Sequence, residues 1–158
     1  GEYDGSDVVE MSAADLKASL EAGKTVLVTF SAPWCGHCKQ LVPEWKRVAT
    51  SLKASGVVVA MINGDENRAL TQELGVRGFP TIKCFSGVGS KGADYQGARS
   101  ASDIVQWTQQ QAMIGKAKAL AGQAVGKVAD GVKSGLSKLG LSKVAARASE
   151  GAVAAAAA

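Results

Sequence analysis

The sequence predicts an α/β fold, a mixed central sheet with helices on both faces, followed by a basic tail. Two observations carry that prediction. Short β-branched runs alternate with stretches of helical apolar spacing, the pattern of strands joined through helices. Every aromatic residue, proline and cysteine of the 158-residue chain lies before residue 112, so only that part holds the large side chains a core needs.

The elements follow in order. Val8–Met11 reads as a short strand. Ser12 is placed to cap a helix that runs through Leu16 and Leu20 and ends at Gly23. Thr25–Phe30 (TVLVTF) is a near-continuous β-branched run, expected of a strand buried on both faces. From about Cys35 to Lys53, Leu41, Trp45, Val48 and Leu52 recur at helical spacing. Pro43 falls inside this stretch and is expected to kink it, because its ring removes a hydrogen bond. Val57–Ile62 (VVVAMI) is a second buried strand, and Arg68–Leu74 a short helix stopped by Gly75. Thr81–Phe85 and Ala93–Gln96 form a hairpin across the Gly-rich turn Gly87–Gly92. A last helix, Ala101–Gln111, carries Ile104, Val105 and Trp107. The resulting order is βαβαβαββα.

Composition narrows the function. A chain of 158 residues that is 46% hydrophobic and 20% charged fits one compact domain rather than two, and a globular rather than a disordered class. No run of 18 apolar residues occurs, and the Ala-rich end after Gly151 is too short and too weakly hydrophobic to span a bilayer. The net charge of +4 is uneven. Residues 1–111 hold 11 Lys and Arg against 12 Asp and Glu, a net of −1. Residues 112–158 hold seven Lys and Arg against Asp130 and Glu150, a net of +5. The basic charge therefore belongs to the tail, and two regions are expected, 1–111 and 112–158. Because the sequence starts at Gly1, it reads as a processed or cloned piece with any signal peptide out of view.

The chemistry sits at Trp34-Cys35-Gly36-His37-Cys38, where a buried strand passes through a short loop into a helix. The first cysteine of a C-x-x-C that opens a helix meets unpaired backbone N–H groups and the positive end of the helix dipole. Both favour thiolate, and in such motifs the pKa falls from about 8.5 to about 3.5–7.5. Cys35 is thus the expected nucleophile. Cys38, one turn further in and better shielded, is placed to attack a mixed disulfide on Cys35. His37 is the only histidine of the chain, and an imidazolium beside Cys35 would stabilise the thiolate further; the bland alternative is an inert surface side chain. Metal readings are weaker. Cys35, His37, Cys38 and Cys84 count to four zinc ligands, but adjacent His37 and Cys38 suit a tetrahedron poorly and Cys84 falls inside a strand. A c-type haem needs the histidine after the second cysteine, where Lys39 stands.

Trp34-Cys35-Gly36-His37-Cys38-Lys39 with Pro43-Glu44-Trp45 closely resembles the catalytic domain of the protein disulfide isomerase family. So do Gly75-Val76-Arg77-Gly78-Phe79-Pro80-Thr81-Ile82-Lys83, Tyr95-Gln96-Gly97-Ala98-Arg99 and Asp103-Ile104-Val105, in the family's order. The similarity runs from about Val8 to Gln111. It implies a thioredoxin-like fold and a site with no metal and no cofactor beyond the redox-active Cys35–Cys38 pair. Gly36 and His37 between the cysteines imply disulfide formation and isomerisation rather than general reduction. Pro80 is implied to be a cis-proline facing the active site, with Phe79 helping to hold an extended substrate and Trp34 beside it. Arg99 matches an arginine implied to lower the pKa of the second cysteine; without the resemblance it is equally a solvated loop residue.

Two departures stand out. Where the family carries a buried acid beneath the cysteines this chain has Thr29, and the usual lysine partner falls at Met61. Loss of both ends of a buried ion pair is nearly neutral for stability, whereas loss of one leaves a charge costing about 3–5 kcal/mol. That carboxylate is implied to take the proton of the second cysteine, so slower or differently tuned turnover is expected. Cys84, where relatives carry a large apolar residue, is read as core packing.

After Gln111 apolar residues recur at helical spacing from Ile114 to Leu139 with lysines between them, a basic amphipathic pattern. Gly122, Gly126, Gly131, Gly135 and Gly140 each cost about 1 kcal/mol relative to Ala in a helix, so a stable lone helix in water is not expected. The tail admits three readings: a frayed or disordered segment, binding to an anionic membrane surface or protein partner, and packing back onto the domain, for which the Gly-x-x-x-Gly spacings permit close contact. Nucleic acid is disfavoured, since the tail has no aromatic residue to stack on bases.

The function expected from these residues is a thiol–disulfide oxidoreductase that forms, breaks and rearranges disulfides in cysteine-containing polypeptides. Its alternatives are a thioredoxin-like reductant and a redox-sensitive substrate-binding adaptor with slow turnover. An upstream thiol oxidase or the glutathione pool is the implied electron partner. An oxidising secretory compartment, the endoplasmic reticulum lumen first, is the implied location, although no Lys-Asp-Glu-Leu-type signal closes the chain.

Overall fold

The computed structural model describes residues 1–139, and the side-chain surroundings of residues 1–121. The chain divides into two units, residues 1–115 and residues 116–158. The expectations that fall on Gly140 and beyond lie outside the described residues.

The elements are β1 (Val9–Met11), α1 (Ala13–Glu21), β2 (Thr25–Ser31), α2 (Gly36–Leu52), β3 (Val58–Asn63), α3 (Arg68–Glu73), β4 (Thr81–Ser86), β5 (Ala93–Asp94) and α4 (Ala101–Leu139). They form one five-stranded sheet in the order β1-β3-β2-β4-β5. β1, β3 and β2 are parallel; β4 runs antiparallel to β2, and β5 antiparallel to β4. The α/β class, the mixed sheet and the thioredoxin-like order are as the sequence predicts.

β2 explains the rest of the packing. Its side chains alternate between faces, and from Val26 onward every one is buried. Leu27, with Ile82 and Cys84 of β4, packs under Leu41, Trp45, Val48 and Leu52 of α2 and Ile104 of α4. Val26, Val28 and Phe30 pack with Ala60, Ile62 and Phe85 against Leu16 and Leu20 of α1. Both cores are aliphatic and aromatic, so burial drives the two layers together from opposite sides. Tyr3, outside every predicted element, is buried in the α2-side core. Cys84 is a free thiol packed there, and burial pushes its pKa up to about 11.

The helix ends are set locally. Ser12 and Asp15 form a capping box on α1, each accepting from the other's backbone N–H at 3.2 and 3.0 Å. α2 runs unbroken through Pro43. Glu44 on α2 accepts from the Ala101 N–H at 2.8 Å and so helps to cap α4. Lys83, whose side chain is 6% exposed, meets Asp94 across β4 and β5 at 2.7 Å, which satisfies a charge that burial would otherwise make costly.

Two boundaries differ from expectation. β5 spans two residues rather than Ala93–Gln96; the Tyr95 N–H still donates to Ile82 O at 3.0 Å, and its hydroxyl donates to Ala98 O in the turn that follows. The last helix does not stop at Gln111 but continues to Leu139. The composition change marks where core-forming side chains run out. Helix propensity does not run out there, because Ala, Gln, Lys and Leu continue without a proline.

Candidate functional site

At the end of β2 the chain turns through Ala32, Pro33 and Trp34, with the Cys35 N–H donating to Ala32 O at 3.1 Å. Cys35 is the N-cap of α2, and its Sγ accepts from the Cys38 N–H at 3.2 Å. Cys35 and Cys38 form a disulfide, with 5.3 Å between their Cα atoms. In this form the Cys35 sulfur lies beside an N–H donor and the positive end of the helix, two features that favour a thiolate over a thiol. The two cysteines are almost equally covered, 4% and 3% exposed, so the greater shielding expected for Cys38 is not seen in the disulfide form.

Trp34 and Phe79 build the rim. Trp34 is 70% exposed, and its ring meets Phe79 edge-on with centroids 5.8 Å apart. Phe79 packs against Ala32, Cys35 and Cys38. The Phe79–Pro80 peptide bond is cis. Gly36 and His37 are exposed on the first turn of α2. Arg99 lies on the loop after β5 and lines a cleft whose walls include Pro80 and Arg77 but neither cysteine. The structure thus brings Trp34, Cys35, Cys38 and Phe79 into one cluster and places Arg99 in a neighbouring cleft.

Three rim residues escape sequence reasoning. The Trp34 Nε1–H donates to Asp65 Oδ2 at 2.8 Å. Asn63 Oδ1 accepts from the Asp65 and Glu66 N–H groups at 2.9 and 3.2 Å, and the Gly64 N–H donates to Ser31 O at 2.8 Å. Any Cβ at Gly64 would lie 2.1 Å from the Phe79 ring, so only glycine lets that ring settle on the cysteines. Asn-Gly-Asp after a buried strand is a turn signal, but nothing in it names Trp34 or Phe79 as its partners.

The sheet beneath is different. Thr29 follows Leu27 on the α2 side of β2, toward the cysteine loop. It is registered beside Met61 on β3 and Ile82 on β4. Thr29 is 1% exposed, and its Oγ1 has no hydrogen-bond partner. The floor of the site therefore offers a hydroxyl between two apolar neighbours. No three His, Cys, Asp or Glu side chains come together as a metal set among the described residues.

Comparison with known proteins agrees with this geometry. The family described as Thioredoxin matches residues 7–110. "Protein disulfide-isomerase like 2-2" of Arabidopsis thaliana is 46% identical over 103 residues, 65% of this chain and 23% of that protein. "Protein disulfide-isomerase A6" of Mus musculus is 44% identical over 107 residues, 66% of this chain and 24% of that protein. The chain thus spans about a quarter of the length of these relatives. Among solved structures, the first thioredoxin domain of mouse protein disulfide-isomerase A4 superposes with a TM-score of 0.60 at 33% identity, covering 66% of this chain and 74% of that one.

Proposed function

This chain belongs to the thioredoxin family, and on that footing we propose that it is a protein disulfide isomerase: a thiol–disulfide oxidoreductase that forms, opens and rearranges disulfides in polypeptide substrates. The observation that carries the proposal is the Cys35–Cys38 disulfide held at the start of α2, with Cys35 Sγ accepting from the Cys38 N–H.

In oxidation, a substrate thiolate attacks Cys35 Sγ; the Cys35–Cys38 bond breaks and Cys38 leaves as a thiolate. A second substrate thiolate then attacks the mixed disulfide. The substrate leaves with one disulfide, and two electrons and two protons remain on Cys35 and Cys38. A thiol oxidase or oxidised glutathione takes them up. In isomerisation, reduced Cys35 attacks a substrate disulfide, the freed substrate thiolate attacks a different one, and the thiolate released there attacks the substrate sulfur bound to Cys35, expelling Cys35 with no net redox change. Cys38 ends unproductive encounters by displacing the substrate from Cys35. Trp34 and Phe79 supply an apolar rim beside the sulfur, His37 acts on thiolate charge and Pro80 on the substrate backbone, and Arg99, which stands in the neighbouring cleft, acts on Cys38 only by swinging toward it. An oxidising secretory compartment such as the endoplasmic reticulum lumen suits this chemistry.

A second reading, a capture module with slow turnover, is favoured by the unpartnered Thr29 hydroxyl, which gives the position beneath the cysteines no group that titrates near neutral pH. The reduction potential of the pair, read with refolding of a scrambled disulfide substrate, tests both. About −180 mV with refolding supports the isomerase and about −270 mV a reductant. A pair that forms mixed disulfides but does not turn over supports capture.

A further inference from the structure

Beyond Gly115, α4 carries a pattern that no core requires. Leu120 is 66% exposed, as are Ala117 and Ala121 on its side of the helix. Advancing about 100° per residue, every Leu and Val position from Leu120 to Leu139 falls within one arc of roughly 160°. Lys116, Lys127 and Lys138 follow one another at intervals of 11 residues. That interval closes on three helical turns, so the three line one margin of the arc. Lys118 falls at the other margin, and Asp130 on the far side. From 116 to 139 there are five lysines and one aspartate, a net of +4.

We propose that α4 beyond residue 115 docks on an anionic lipid surface, lying in the plane of the interface with its apolar arc toward the acyl chains. The helix is too polar to do more, since no helix among the described residues is long and apolar enough to cross a membrane. Charge selects the occupant. Lysines bordering an apolar stripe meet anionic headgroups while the stripe is buried. A second copy of the helix would instead bring like charges together along both margins. The glycines that weaken the helix in water matter less on a surface that buries one whole face.

The test is co-sedimentation of the full chain with phosphatidylcholine vesicles containing about 30% phosphatidylserine, against phosphatidylcholine alone, at low and high salt. Binding to the anionic vesicles only, released by salt, is the expected result. Lys116→Glu/Lys127→Glu/Lys138→Glu should weaken partitioning by at least about a hundredfold, taking roughly fivefold per lysine lost. Leu120→Ser/Val128→Ser/Val132→Ser should release the protein with its charge unchanged. Both variants should exchange disulfides at the wild-type rate. No binding of the wild type to anionic vesicles at low salt overturns the proposal, as does equal binding to neutral ones. A lipid-free dimer that the serine variant dissolves also overturns it, and assigns the face to a second copy.

Discussion

The rim of the site and the sheet row beneath it are built to different standards. At the rim the polar groups that hold the loops are paired: Trp34 with Asp65, Asn63 with two backbone N–H groups, Gly64 with Ser31. Under it, Thr29 keeps a buried hydroxyl without a partner, between Met61 and Ile82. On the proposed function, this paired rim is the surface that meets a substrate sulfur. The floor holds nothing that takes up or releases a proton near neutral pH. On that proposal, capture falls to the rim and proton release to the floor, and of the two only the rim has its polar groups paired.

Substitutions can break this contrast or refine it. The largest effect belongs to the sulfur itself: Cys35→Ser should abolish exchange, while Cys38→Ser should trap substrate as a mixed disulfide visible on non-reducing gels. Exchange by a Cys35→Ser protein would refute the assignment of the nucleophile.

The floor comes next. Thr29→Glu places a carboxyl in an apolar row, where burial raises its pKa toward the range of a useful base. Oxidation of a model dithiol should then accelerate by about two orders of magnitude or more. The lone buried acid costs about 3–5 kcal/mol when charged, so Thr29→Glu/Met61→Lys is measured beside it. Unchanged rates in both variants would mean that the floor does not limit turnover. Thr29→Val, which exchanges the unpartnered hydroxyl for a methyl, should raise the unfolding free energy by about 1–3 kcal/mol, read as a higher denaturation midpoint.

At the rim, Gly64→Val forces Phe79 off the cysteines and should cost about 1–3 kcal/mol by overpacking, with a matching fall in substrate capture. Wild-type stability and capture in this variant would show that the ring can sit elsewhere. Asp65→Ala frees an exposed Trp34 and should cost no more than about 1 kcal/mol. Its signature is a higher KM for peptide substrate at constant kcat.

The smallest effect at neutral pH is that of Cys84, the other thiol on the floor side of the sheet. Its pKa stands at about 11 in the fold against 9.0 ordinarily, so the unfolded chain loses this proton first. The stability associated with the neutral thiol is whole below pH 9 and declines as pH rises toward 11. Cys84→Val should remove that decline, on the order of 2 kcal/mol by pH 11, and change little at pH 7. Parallel pH profiles for the two proteins would show that Cys84 does not titrate as its burial dictates.

The strands and the reactive pair were legible in the sequence because each is specified locally: β-branched runs for β2 and β3, Ser12 for α1, and two cysteines at the mouth of a helix. The contacts that complete the rim were not. Trp34 and Asp65 stand 31 residues apart in the chain and meet only because β2 and β3 lie side by side. Gly64 reads as a turn residue, and its second duty, making room for Phe79, depends on a loop fifteen positions away. Tyr3 sat before every periodic segment, so no pattern pointed to its burial. The last helix outruns the expected end at Gln111 because loss of aromatics ends the core without ending the helix, and propensity alone carries α4 onward.

The sheet's two outer strands are three and two residues long, β1 and β5. On the proposed function, the substrates are unfolded chains, whose segments readily add themselves to any open sheet edge. Here each edge exposes little unpaired backbone, and a charge stands on each, Glu10 on one side and the Lys83-bound Asp94 on the other. On that proposal, clients would be held by one covalent sulfur link and by side chains at the rim, while short, charged edges give them little backbone on which to aggregate.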